Sequence, residues 1–242
     1  MKTLGRFLLF LNTLIRRGES FRILSNRTMD EAIIIGINSV FIVAIVSTFI
    51  GAVTCVQISY NLTNALIPRS TIGFMVREMT ILELAPTITS IVLAGKVGSN
   101  IAGGLGTMRI TEQIDALEVM GINSASYLVL PKIVAALLMF PLLVILAMTL
   151  SIAGGYIAGT LSGALSAQEY IEGLRSEFIP YNIVFALIKS FVFAFLISSI
   201  SSFLGYNTKG GALEVGAAST NAVTNSIIAV LIADYVCAGI LL

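Results

Sequence analysis

The chain has 242 residues, of which 57% are apolar and only 11% are charged. A soluble domain carries roughly a quarter charged residues, so this composition excludes a soluble protein and predicts that a lipid bilayer surrounds the chain. The formal net charge of +1 gives no reason to expect a nucleic-acid partner, and the absence of histidine excludes imidazole chemistry. The two cysteines lie in apolar runs, which predicts neither a disulfide framework nor a metal site.

An amphipathic segment opens the chain, and five apolar runs follow it. Residues 2–17 carry leucine, phenylalanine and isoleucine at helical spacing with basic residues at the ends, which predicts a helix lying in the membrane interface. Each apolar run approaches the roughly 20 residues that a bilayer requires. The predicted spans cover residues 33–56, 72–95, 128–156, 181–204 and 222–242.

Two capping-box patterns mark predicted helix starts. Thr28 with Glu31 is expected to begin the first span, and Ser166 with Glu169 a short polar helix that runs to about Phe178. The chain is expected to fold as one domain, with residues 1–27 as the interfacial segment and residues 28–242 as the transmembrane body.

The basic residues indicate the orientation. Six lysines and arginines precede the first span, and further basic residues flank the loop between spans two and three (Lys96, Arg109 and Lys132). The positive-inside rule therefore places the N-terminus in the cytoplasm. Five spans then place the C-terminus on the opposite side, and the loop formed by residues 96–121 in the cytoplasm.

That loop contains a segment with the pattern of a soluble helix, residues 107–120. Apolar side chains cluster on one side of it, and acidic side chains spread along another. The apolar residues are Ile110, Ile114 and Leu117, and the acidic ones are Glu112, Asp115 and Glu118. A connecting helix on the lipid headgroups is the alternative, but anionic lipids repel carboxylates. We interpret the segment as a coupling helix whose apolar ridge and acids dock on a motor subunit.

Small residues recur every three or four positions between residues 94 and 106, which favours close packing of another helix. A phosphate-binding loop is the alternative, but Gly95-Lys96 is followed by Val97, where that motif requires serine or threonine. The chain thus lacks a nucleotide-binding motif. Because the carboxylates are scattered and histidine is absent, we expect no catalytic residue.

Three ionisable residues fall inside predicted spans, namely Glu83, Lys189 and Asp234. Such groups cost a few kcal/mol in hydrocarbon, so they face protein or a wet cavity. Lys189 and Asp234 are candidates for a structural clamp, whereas Glu83 is a candidate either for lining a substrate cavity or for holding helices together. A proton relay is a further alternative. Pro86 is expected to free a backbone carbonyl and to kink the second span.

The stretch ELAPTITSIVLAGKVGSNIAGGLGTMRITEQIDALEVMGI (residues 83–122) resembles the MlaE/YrbE-type permease family, the membrane subunits of MCE-associated ABC lipid transporters. LIKSFVFAF at 187–195, Gly205-Tyr206 and IADYV around Asp234 extend the resemblance over most of the chain. The resemblance implies an all-α integral membrane fold with an interfacial helix, five spans and a cytoplasmic coupling helix.

The resemblance also implies partners. The family forms homodimers, binds two copies of a cytoplasmic ABC ATPase and carries a periplasmic MCE (MlaD-like) hexamer. It implies a phospholipid substrate, a role in outer-membrane lipid asymmetry, and a place in the bacterial inner membrane with the C-terminus periplasmic. This chain would then be no enzyme and bind no cofactor, since ATP and Mg²⁺ would belong to the partner ATPase.

Site residues are implied by the same resemblance. The segment TEQIDALEVMG resembles the family's coupling helix, and the expected ATPase contacts are Arg109, Glu112, Gln113, Asp115 and Glu118. Glu83 matches the family's acidic residue near the lipid cavity. The candidate cavity residues are Val53, Val56, Gln57, Arg77, Glu83 and Asn221. Where members often carry arginine, this chain has Leu82 and Asn221, and Arg77 is the candidate substitute charge.

Two other functions stay open. An ion-coupled secondary transporter would use Glu83 or Asp234 to carry protons, but it predicts inverted repeats with matching broken helices, which the sequence does not display. A membrane scaffold that transports nothing would only anchor a complex.

Overall fold

The computed structural model describes residues 2–16, 21–62 and 68–241, and these residues form helices without a β-strand. Five of the helices are long and apolar enough to cross a membrane, as predicted. In chain order the helices are α1 (Lys2–Arg16), α2 (Arg22–Asn61), α3 (Ser70–Ile110), α4 (Gln113–Val119), α5 (Ser124–Leu161), α6 (Ala167–Arg175), α7 (Tyr181–Tyr206) and α8 (Ala212–Leu241). Residues 17 and 242, the last of two predicted helices, lie outside the described ranges.

The spanning helices are longer than predicted because they continue past the apolar runs. Thr28 and Glu31 lie inside α2, so the capping box predicted there is wrong. Glu31 instead forms an ion pair with Lys132 of α5. Lys96 was expected in a loop, but it lies inside α3 and donates to the backbone carbonyl of Asn38. Polar residues extend a helix wherever its backbone hydrogen bonds continue, which a hydropathy pattern does not register.

Pro86 lies in a π-helical segment of α3, Thr80–Ile88. Proline has no N–H, so the carbonyl of Leu82 four residues earlier loses its α-helical donor. A wider turn accommodates the ring, and the irregularity predicted at Pro86 takes this form. Two further π-helical segments occur in the described spans, Ile33–Ile37 in α2 and Ala94–Gly98 in α3.

Glycine lets α2 and α5 approach closely. A Cβ atom on Gly51 would lie 1.8 Å from the carbonyl oxygen of Ser151, and one on Gly154 would lie 2.1 Å from that of Thr48. The Ser151 hydroxyl adds a hydrogen bond of 2.8 Å to the carbonyl of Ser47. Van der Waals contact and interhelical hydrogen bonds of this kind hold helices together in lipid, where no hydrophobic force acts between them.

α3 contacts each of the other spans, α2 through residues 70–93 and α8 mainly through residues 94–110. The predicted close packing of its small residues is confirmed, because Gly98 faces Ser201 of α7 and Gly106 faces Val215 of α8. α8 packs mainly on α7 and α3. α3 therefore borders both α2 and α8, and we call the surface that these three helices expose the α2–α3–α8 side.

Two short elements mark the ends of the bundle. The basic end, as we name it, carries α1, α4 and the cations Arg6, Arg27, Arg109, Lys132 and Lys209. The opposite end carries α6, which begins with the predicted capping box: Ser166 Oγ accepts from the Glu169 N–H at 3.2 Å, and Glu169 Oε2 accepts from the Ser166 N–H at 2.7 Å. α6 ends at Arg175, before the predicted Phe178.

Candidate functional site

A buried ion-pair cluster joins α3, α7 and α8. The Lys189 ammonium donates to Glu83 Oε2 at 2.8 Å and forms a second ion pair with Asp234. Lys189 is fully buried and Asp234 is nearly so, whereas the Glu83 side chain is 52% exposed. The predicted pair of Lys189 with Asp234 is thus present, and Glu83 joins it.

Local sequence explains why the cluster forms at this point. Lys189 also donates to the Leu82 carbonyl at 3.1 Å, the acceptor that Pro86 leaves without an α-helical donor. Thr87 supports Glu83 through a hydrogen bond of 3.2 Å from its hydroxyl to Oε1. The cluster sets one ammonium against two carboxyl groups, and the half-exposed Glu83 presents one of them to the outside.

The remaining cavity candidates do not meet in a single chain. Val53, Val56 and Gln57 are exposed on α2, and Asn221 is exposed on α8. Val53 lies roughly 12 Å along α2 from its end at Asn61, close to the depth of the cluster. Asn221 lies roughly 14 Å from the start of α8 at the basic end, in the other half of the bundle. α2 and α8 also contact different lengths of α3, so these candidates lie on separate helices and at different depths.

Arg77 is not the free cation that was expected. Its guanidinium donates to the carbonyls of Leu174 and Ser176, both at 2.7 Å, and pairs with Glu78 at 2.7 Å. Glu78 in turn accepts from the amide of Asn182 at 2.6 Å. The Arg77 side chain is buried, so its charge holds the end of α6 and the following loop to α3 and does not meet a lipid headgroup.

A tight turn separates α3 from α4 at the basic end. Thr111 and Glu112 lie between the helices, and Glu112 has a φ of 59°. A left-handed residue other than glycine costs about 1–2 kcal/mol. The helix predicted over residues 107–120 is therefore interrupted, and α4 is short.

The apolar side of α4 faces its own chain. Ile114 is completely buried in the core of the bundle, and Leu117 packs against that core. The expectation that these residues form a ridge for a partner is therefore wrong. The apolar side chains that α4 and the next turn present outward are Val119 and Met120, which are 89% and 65% exposed.

Polar contacts fix α4 in place. Asp115 pairs with Arg109 at 2.7 Å. The Glu118 carboxylate accepts hydrogen bonds from Ser124 of α5 at 2.8 Å and from the Tyr206 hydroxyl of α7 at 3.1 Å. Gln113 donates to the side chain of Thr111 at 3.0 Å, and the described residues offer Glu112 no ion pair. The pattern of α4 alone does not reveal these partners, because Ser124 belongs to the next helix and Tyr206 lies 88 residues away in sequence.

Known proteins are similar to this chain over most of its length. The model of a family described as Permease MlaE matches residues 28–240. The chain is 34% identical over 238 residues to a probable ABC transporter permease protein of Rickettsia bellii, covering 97% of this chain and 90% of the relative. It is 33% identical over 219 residues to a similarly named protein of Synechocystis, covering 88% of this chain and 81% of that one.

A plant protein is also similar. The chain is 36% identical over 201 residues to the chloroplastic protein TRIGALACTOSYLDIACYLGLYCEROL 1 of Arabidopsis thaliana, covering 83% of this chain and 57% of that protein. The family model includes the five spans, α4 and all three residues of the ion-pair cluster. The chain therefore belongs to the MlaE permease family and is a multi-pass membrane permease.

Proposed function

We propose that this chain is the permease subunit of an ABC transporter that moves phospholipids between the inner membrane and a periplasmic MCE protein, and so maintains outer-membrane lipid asymmetry. Membership of the MlaE family and the names of the bacterial relatives support an ABC permease with a partner ATPase. The plant relative, whose name contains that of a glycolipid, supports a lipid substrate.

The observation that carries the proposal is the character of the side formed by α2, α3 and α8. Near the opposite end this side is apolar and exposed at Val53 and Val56 of α2 and at Ile232 and Tyr235 of α8. Few polar groups interrupt it, among them Gln57 of α2 and the half-exposed Glu83 of α3. An acyl chain needs an apolar wall with few polar contacts, which this surface offers.

A second copy of the chain would complete the cavity. Nearer the basic end, α8 exposes a polar stripe at helical spacing, formed by Thr220, Asn221, Thr224 and Asn225. Polar side chains that face hydrocarbon are costly and pair across helices when they can. The Thr220 and Thr224 hydroxyls already donate to carbonyls of their own helix. Contact between the stripes of two copies would give the Asn221 and Asn225 amides partners and leave the apolar walls facing each other, as a homodimer with a lipid cavity requires.

The basic end is the proposed site of ATPase binding, and the positive-inside rule places it in the cytoplasm with the N-terminus. Two ATPase subunits, which bind ATP and Mg²⁺, would dock on Val119, Met120 and Glu112. α4 is tied to α7 through Glu118 and Tyr206. Lys189 lies on the same helix, roughly 25 Å from Tyr206, so α7 offers a direct path from the motor to the ion-pair cluster.

Two tryptophan substitutions test the lipid cavity. Val53 and Val184 are valines of similar exposure, 54% and 49%, but Val184 lies on α7, outside the proposed wall. In proteoliposomes that contain the whole complex, we expect Val53→Trp to lower ATP-dependent phospholipid transfer by about tenfold, and Val184→Trp to leave it unchanged. Equal rates in both variants would refute the cavity. Transfer that depends on a proton gradient without ATP would support an ion-coupled transporter, and an assembled complex that moves no lipid would support a scaffold.

A further inference from the structure

A second cavity, of about 700 Å³, opens at the basic end between α1, α4, α5 and α7. α1 lies across α7 there, with Phe7 and Phe10 edge-on to Phe203 at ring distances of 5.4 and 5.6 Å. The volume falls within the range of small-molecule sites in proteins. Because this cavity and the proposed transport wall lie in different halves of the bundle, binding of a ligand here does not depend on the proposed function.

The cavity is suited to an anion. Arg6 of α1 and Lys209 of the α7–α8 connection line it, and neither pairs with a carboxylate in the described parts of the chain. The one carboxylate on the wall, Glu118, already accepts hydrogen bonds from Ser124 and Tyr206. Among the described residues the lining thus combines two cations that have no carboxylate partner with one carboxylate that already accepts two hydrogen bonds.

Apolar surface adjoins these cations. Leu9 lines the cavity and is 65% exposed, and its neighbour Leu8 is 58% exposed. The same helix buries Phe10 and Leu14 against the bundle. α1 therefore has one apolar face for the protein and another for lipid, with Arg6 beside the second. Cations at the edge of a membrane attract anionic headgroups while their aliphatic stems contact hydrocarbon.

We propose that this cavity binds the phosphate of an anionic phospholipid, with Arg6 and Lys209 as its ligands and the acyl chains along Leu8 and Leu9. A soluble phosphate compound would contact only the two cations. A phospholipid would contact the cations through its phosphate and the two exposed leucines through its acyl chains. The bound lipid bridges α1 to the α7–α8 connection and lies beside Glu118, the residue that ties α4 to α7.

Fluorescence quenching tests this site, because the chain contains no tryptophan. Leu9→Trp places a single fluorophore at the mouth of the cavity in the full chain, reconstituted in phosphatidylcholine vesicles. Phosphatidylglycerol brominated on its acyl chains is compared with phosphatidylcholine brominated in the same way. We expect phosphatidylglycerol to bind about tenfold more tightly at this position, and Arg6→Gln with Lys209→Gln to bring the ratio of the two affinities close to one.

Arg22→Gln is the matched control, since Arg22 is an exposed cation at the same end that does not line the cavity. It is expected to leave the ratio unchanged. The site is refuted if phosphatidylglycerol has no advantage in Leu9→Trp, or if Arg22→Gln lowers the ratio as much as the double substitution does. Relief of quenching by excess inorganic phosphate would overturn the lipid assignment by showing that the ligand is a free anion. Loss of the preference when the ATPase subunit is added would overturn it by showing that the surface is a protein interface.

Discussion

Two buried cations, Arg77 and Lys189, hold this bundle together in different ways. Arg77 is enclosed: its side chain is 3% exposed, its carbonyl acceptors lie in the last turn of α6 and just after it, and its partner Glu78 is 20% exposed. Lys189 is equally buried, but its partner Glu83 is 52% exposed on the apolar side of the molecule. The closed pairing fastens a loop, whereas the open one joins three spans beside a surface that can meet a ligand. The burial of the cation is the same at both sites, so the exposure of its carboxylate partner is the difference from which we propose that Glu83 has a functional role.

The largest effect is expected from Lys189→Met. The substitution leaves the Glu83 and Asp234 carboxylates close together without a cation, and an uncompensated buried charge costs about 3–5 kcal/mol. Thermal unfolding of the purified chain in detergent measures this loss. Adding Glu83→Gln and Asp234→Asn to Lys189→Met should restore most of the stability, because the three charges act as one unit. If the losses simply add, the cluster is not a unit.

Arg77→Gln should lower stability less than Lys189→Met does, by about 2–3 kcal/mol. The carbonyl acceptors lose a charged donor, but no carboxylate is left fully buried. The loosened region should be α6 and the loop after it, where hydrogen exchange would rise. ATP turnover by the folded complex should not change. Arg175→Gln is the control, since Arg175 lies at the same end outside the pairing. Faster exchange around Lys189 in the Arg77 variant would mean that the two sites are not independent.

Substitution of the carboxylate partners compares the enclosed Arg77–Glu78 pair directly with the partly exposed Lys189–Glu83 pair. Glu78→Gln should lower stability by about 2 kcal/mol, because that carboxylate accepts from both Arg77 and Asn182. Glu83→Gln should lower stability by only about 1 kcal/mol, because about half of the Glu83 side chain is exposed and loses little when its charge is removed. Lipid transfer per folded complex should fall more in Glu83→Gln than in Glu78→Gln. The reverse order of transfer rates would assign Glu83 a purely structural role.

The sequence predicts the features that arise from the cost of polar groups in hydrocarbon. The five spans are apolar runs, and Lys189 and Asp234 pair because neither charge can face lipid alone. Pro86 predicts the unsatisfied carbonyl that Lys189 uses. The hydrogen-bond partners of Arg77 cannot be predicted in this way. They are backbone carbonyls about a hundred residues away, which composition and residue spacing do not indicate.

The basic end shows a second limit of sequence reasoning. An amphipathic pattern indicates that one side of a helix is buried, but not against what. Ile114 has the pattern expected for partner docking and is buried in its own chain. The left-handed Glu112, which ends α3, has no glycine to indicate it. Local periodicity therefore predicts the elements well, while their facing partners depend on tertiary contacts.

The smallest effect concerns the capping box of α6, close to the closed Arg77 site. Hydrogen bonds from Ser166 lower the pKa of the Glu169 carboxyl below its usual value of 4.5. A group whose folded-state pKa is lowered binds fewer protons when folded, so its stabilising effect is present above about pH 4.5 and disappears as the pH falls through the folded-state pKa. Ser166→Ala removes the hydroxyl that accepts from the Glu169 N–H at any pH and that also donates to the Glu169 carboxylate. It should therefore lower the melting temperature at both pH values, and by more at about pH 6 than after Glu169 is protonated. Gln168→Ala, at a neighbouring position outside the capping box, serves as the control. If Ser166→Ala lowers the melting temperature equally at both pH values, the hydrogen bond from the Ser166 hydroxyl to the Glu169 carboxylate adds nothing to the stability of α6.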